Sequence, residues 1–90
     1  MNKAIITVVG KDQVGIIAKV CTFLAKHEMN ILDISQTIVQ DYFNMMMIVD
    51  ASKVEETFGN VADELDALGK EIGVNIKLQH ENIFNKMHRI

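Results

Sequence analysis

Residues 3 to 9, KAIITVV, carry two alternating apolar sets, Ala4, Ile6 and Val8 on one face and Ile5 and Val9 on the other. Apolar, β-branched residues on both faces predict a strand from the middle of a sheet. The period then changes. From Ile16 to His27 the residues Ile17, Val20, Cys21 and Leu24 follow the i, i+3, i+4, i+7 spacing, while Lys19, Thr22 and Lys26 fall elsewhere on the wheel, so an amphipathic helix is predicted. Asn30 to Gln40 and Tyr42 to Ala51 return to a β pattern, with a polar break at Gln40 and Asp41 that reads as a hairpin turn. The first strand of this pair is the more polar. Asp33, Ser35 and Thr37 share one face while Leu32, Ile34 and Ile38 mostly fill the other, which places that strand at or near an edge.

SKVE at Ser52 to Glu55 has the form of a capping box and predicts the start of a second helix. Val54, Phe58, Val61, Leu65, Leu68 and Ile72 recur at spacings of three and four, and Gly73 suits the left-handed position that ends such a helix. Gly59 and Gly69 weaken it by about 1 kcal/mol each relative to Ala if they are interior. Val74 to Glu81 alternates again, with Val74, Ile76 and Leu78 inward and Asn75, Lys77 and Gln79 toward water.

The order is βαββαβ. Right-handed crossovers then give an α+β, ferredoxin-like sandwich, a four-stranded antiparallel sheet of order 4-1-3-2 with both helices on one face. One sheet face stays bare, holding either Ile5, Val9, Met46 and Ile48 or the residues of opposite parity, so apolar side chains are exposed on either assignment. Residues 1–81 form one domain on this reading. The tail 82–90, NIFNKMHRI, places Ile83, Phe84, Met87 and Ile90 on one stripe and predicts a short helix that packs on a neighbouring subunit.

Composition narrows the function. Ninety residues, 49% of them apolar, build one core. A net charge of −3 supplies no basic field, so nucleic acid is not an expected partner. The single Cys21 can make no intramolecular disulfide, which fits a reducing cytoplasm. The opening MNKAIITVVGKD holds an apolar run too short for a signal or a membrane span, and the chain reads as soluble and complete.

Catalytic and metal chemistry find little to work with. The one arginine, Arg89, is far from the loop after the first strand, where a phosphate-holding arginine of this fold would stand, and that loop lacks a thiolate pair. Met45 to Met47 alternate in direction along a strand and read as core rather than as thioether ligands. RNA binding would need stacked aromatics on the central strands, where the first has none. His27, His80 and His88 are scattered, so no catalysis, metal or cofactor is expected. GKDQVG, residues 10 to 15, is the remaining candidate. Taken alone it reads as a strand-to-helix turn with Asp12 as N-cap, although the free amides of the following helical turn would face any group in front of it.

KDQVGIIAKVCTFLAKHEMNILDIS resembles the signature of the ACT domain, in which Asp-x-x-Gly and two hydrophobic residues open the first helix and Asn-Ile begins the second strand. The similarity spans nearly the whole chain and is greatest to small stand-alone ACT proteins, and more distantly to ACT modules of the glycine-cleavage repressor type. The resemblance implies a non-catalytic regulatory module, a homodimer that binds an amino acid at the interface between paired domains. It assigns the ligand to Asp12, Gln13, Val14, Gly15 and Ile16 in the loop and to Asn30 and Ile31 on the strand. Asp12 would take the ammonium group, the amides of Gln13 to Ile16 the carboxylate, and Asn30 a hydrogen bond to ligand or neighbour, with Gly15 allowing close approach. This chain has no room for a fused enzyme, so a signal would pass to a separate regulated protein. The alternative is an interaction adaptor that uses the fold for dimerisation without a ligand.

Overall fold

The computed structural model describes residues 2–11 and 14–82. Four strands, β1 (Lys3–Lys11), β2 (Asn30–Val39), β3 (Tyr42–Asp50) and β4 (Val74–His80), form one antiparallel sheet in the order β2-β3-β1-β4. Two helices, α1 (Ile16–Lys26) and α2 (Phe58–Ile72), complete the ferredoxin-like arrangement expected from the element order. The tail helix predicted from residue 82 onward lies, from residue 83, outside the described residues.

The choice between the two parities is settled by burial. Ala4, Ile6 and Val8 of β1 and Met45, Met47 and Val49 of β3 are buried in one cluster with Val20 and Leu24 of α1 and Val61 and Leu65 of α2. Ile5, Val9, Met46 and Ile48 therefore take the open face, since neighbouring residues of a strand point to opposite sides. The middle of the three consecutive methionines faces away from the core that holds the other two.

Two local readings change and one holds. The buried stripe of α1 is Ile16, Val20 and Leu24, not one led by Ile17, which is exposed. The helix begins directly after Gly15, and that start turns Ile16 inward. On β2 the register shifts between Ile31 and Asp33, so Ile31 lies opposite Val49 and Ile34 opposite Met47, both on the helix side. An extra residue at Leu32 lets these two isoleucines share a face although they are three apart. The predicted hairpin turn does form, with Gln40 at φ 57°.

The capping box does not form. Ser52–Thr57 is a 3₁₀ turn kinked at Val54 (φ −121°, ψ 21°), and α2 starts only at Phe58. Ser52 serves another partner, because both its amide (3.0 Å) and its hydroxyl donate to Asp50 Oδ1, while its Oγ accepts from the Asn2 amide at 3.2 Å. The hydroxyl is thus oriented toward Asp50 and Asn2 rather than toward an amide of the following turn. These bonds hold the Asp50 carboxyl below its ordinary pKa of 3.8.

Gly73 ends α2 in the left-handed conformation (φ 82°), as the sequence pattern predicts. Gly69 has a steric task instead. A Cβ there would stand 2.7 Å from the Val74 carbonyl oxygen and 3.1 Å from the Ile76 amide nitrogen, so α2 reaches β4 only because this position is bare. Gly59 meets nothing within 4 Å.

The two glycines should respond in opposite directions to alanine. Gly69→Ala is expected to lower stability by about 1–3 kcal/mol through overpacking. Gly59→Ala should raise it by up to about 1 kcal/mol through helix propensity. Urea denaturation of both variants checks the pair. For Asp50, a depressed pKa stabilises the fold above 3.8, and this stabilisation disappears as pH falls through the lowered folded-state value. The stability gap between the parent and Ser52→Ala should hold steady from about pH 5 to 8 and narrow at more acidic pH, with the Asp50 carboxyl titration moving up toward its ordinary range.

Candidate functional site

β1 ends at Lys11, whose neighbour across the ladder is Tyr42, and Tyr42 in turn pairs with Val39. Gly10 lies opposite Val74 on the other side. A Cβ on Gly10 would meet Val74 Cγ1 at 2.7 Å and Val74 Cα at 3.1 Å, so this glycine answers to close strand packing rather than to a ligand.

Gly15 stands at the N-cap of α1 with φ 91° and ψ 1°, a left-handed conformation that L side chains rarely adopt. A Cβ there would meet nothing within 4 Å among the described residues, so conformation alone explains the glycine. Its carbonyl accepts from the Lys19 amide at 3.0 Å. The N-cap residue itself offers no side-chain hydrogen bond, and no acidic residue occupies the first turn. The opening amides of α1 thus form a positively polarised end free of a capping side chain from Gly15. Beside it Val14 is fully exposed, whereas the Ile16 side chain is buried, leaving only the Ile16 backbone to face a ligand. Asp12 and Gln13 lie outside the described residues.

The strand half of the predicted site stands elsewhere. Asn30 pairs with Asp50, which pairs with Lys3 at the start of β1, so Asn30 and Ile31 occupy the opposite end of the sheet from the loop. Eight residue steps separate Lys3 from Lys11, roughly 27 Å of extended strand. The structure therefore does not bring Asn30 and Ile31 together with Val14, Gly15 and Ile16 within one chain. Register puts the Asn30 side chain on the open side with Asp50, and the Ile31 side chain on the helix side with Val49. The distance was readable in principle from strand lengths, because α1 must travel back along the sheet before β2 begins.

A shallow apolar groove of about 370 Å³ on the helix layer is lined by Ala18, Lys19, Thr22, Phe23, Lys26 and Leu68. His27 closes the end of α1, stacks on Phe23 with ring centroids 4.3 Å apart and comes within 3.4 Å of Glu64 Oε2 on α2. His80 lies 3.7 Å from the Phe58 ring, nearly parallel to it. Both histidines thus pack structural seams. Among the described residues no group of three His, Cys, Asp or Glu could hold a metal ion, and no helix is long and apolar enough to cross a membrane. His88 lies outside the described residues.

Comparison with known proteins agrees with the geometry. The ACT-domain family profile matches residues 2–79. A UPF0237 protein of Bifidobacterium longum is 62% identical over 90 residues, covering the whole of both chains. Among solved structures, an ACT domain protein from Streptococcus pneumoniae superposes with a TM-score of 0.81 at 43% identity, covering 92% of this chain and 93% of that one. The regulatory subunit of aspartate kinase from Thermus thermophilus gives 0.66 at 26% identity, over 88% of this chain and 51% of that one. A putative glycine cleavage system transcriptional repressor shares the fold with a TM-score of 0.74 at 22% identity, over 88% of this chain and 45% of that one. A loop that opens α1 on a left-handed glycine, an Asn-Ile start to β2 and a profile match across almost the full fold converge: the chain belongs to the ACT-domain family.

Proposed function

We propose that the protein is a non-catalytic regulatory module that binds an amino acid between two copies of itself and passes the signal to a separate protein of the cytoplasm. The observation that carries this reading is the separation of the two half-sites, which one chain cannot close. A second copy can close it. Every residue of β2 is exposed, and this edge strand contains neither proline nor lysine, the usual guards of a free edge. Ile31, Ile34 and Ile38 stand exposed along its helix side. A two-fold axis through the middle of β2 joins the two sheets into eight strands with all helices on one side. Antiparallel pairing then sets Asn30 and Ile31 of each copy at the end of the joined sheet where the other copy's loop after β1 lies.

The chemistry at such a junction suits an amino acid. The free amides that open α1 favour a carboxylate, and the Asp12 carboxylate provides a counter-charge for an ammonium group. Asn30 can donate to one or accept from the other, and Val14 and Ile31 supply apolar contact. The aspartate kinase regulatory subunit, whose fold the chain shares, supports the regulatory part of the reading.

Sedimentation should show a two-copy species, and Ile34→Lys should convert it to a folded monomer; a monomeric parent chain would overturn the paired site. Calorimetry across the proteinogenic amino acids should find saturable heat with at least one. Asn30→Ala should weaken that binding roughly tenfold to a hundredfold, the cost of a hydrogen bond to a charged group. Absence of heat with every amino acid, in a chain that still dimerises, would replace this reading with the adaptor.

A further inference from the structure

The groove on the helix layer is bounded by opposite charge on its two sides. Phe23 of α1 and Leu68 of α2, both half-buried, lie in it, and the Thr22 hydroxyl beside them donates to the Ala18 carbonyl at 2.8 Å. That proton is used within α1, so the floor of the groove is apolar. Lys19 and Lys26 line the α1 side with their long stems. α1 holds no acidic residue, and neither lysine stands in an ion pair among the described residues.

The α2 side is acidic. Glu64 comes within 3.4 Å of His27, which identifies the flank of α2 that faces α1. Leu68 and Glu71 follow at spacings of four and three and share that flank. From His27 to Phe23 the seam runs backward along α1, while from Glu64 to Leu68 it runs forward along α2. The helices are therefore antiparallel, and one further turn sets Lys19 level with Glu71, as Lys26 is level with Glu64. The two lysines are seven residues apart, as are the two glutamates, a span of two turns or about 10.5 Å. All four side chains are exposed.

A segment of a single charge sign meets repulsion on one side of this groove, whichever sign it carries. A second copy of the chain meets none in one orientation. A two-fold axis along the groove lays α2 of each copy over α1 of the other, Glu71 over Lys19 and Glu64 over Lys26, and brings the Phe23 and Leu68 patches together. An axis across the groove would set lysine on lysine.

We propose that the helix layer is a self-association surface, on which two copies pack groove to groove about an axis along the groove. Edge pairing through β2 uses another face, so the two contacts together build four copies, and this one does not rest on amino-acid binding. Exposed ion pairs add little affinity, so the contact forms in concentrated solution, with the charges setting its orientation.

Sedimentation of the full-length chain tests it. The number of copies found in dilute solution should double at high concentration; a failure of edge pairing alters the dilute species and leaves the doubling in place. Lys19→Glu with Lys26→Glu, and separately Glu64→Lys with Glu71→Lys, should each abolish the doubling while keeping the parent's circular dichroism. Mixed in equal amounts, the two variants should double again, because a face bounded only by glutamate then meets one bounded only by lysine. No doubling in the parent, doubling in either variant alone, or a mixture that stays undoubled would overturn the proposal.

Discussion

The fold depends on the burial of β1 between two antiparallel neighbours. Ala4, Ile6 and Val8 are fully buried under the helix layer, while the same strand pairs with β3 on one side and β4 on the other. Every other strand is placed relative to this one, so its alternation fixes which face of β3 carries Met45 and Met47 and which face of β4 carries Ile76 and Leu78. Close backbone approach completes the seam. β4 is hemmed by Gly10 of β1 and Gly69 of α2, and each would drive a Cβ to within 2.7 Å of Val74 atoms. A strand held on two sides by bare positions tolerates little lateral movement.

That central strand also determines what a binding site in this chain can be. Its length holds the end that opens α1 away from the end where β2 begins, and α1 must run back between them. The motif that looks continuous in sequence, from the loop to Asn-Ile, is therefore divided in space. In the proposed dimer, pairing of two copies would convert the division into two equivalent junctions, with the ten exposed residues of β2 as the edge between them. A ligand held there would touch both copies at once, so its binding energy couples directly to association.

The sequence pattern misled wherever a residue had two eligible partners. Ser52 suits a helix cap by composition, but the Asp50 carboxylate two residues earlier takes its amide and hydroxyl, and α2 starts six residues later. Gly69 reads as a defect in a helix until β4 is laid beside it. Ile31 falls in step with Asp33 on paper, and the irregularity at Leu32 moves it to the helix side with Ile34. In each case local propensity was correct about the residue and silent about the neighbour.

By itself the sequence determined the order of the six main elements, the inward set on β4, the edge character of β2 and the glycine that ends α2. Those follow from periodicities and backbone preferences that act over a few residues. Tertiary structure alone decided which face of β1 is core, why Gly10 and Gly69 must lack a side chain, and that Gly15 and Asn30 stand at opposite ends of the sheet. These are relations between segments far apart in the chain, and only packing brings such segments to a definite distance.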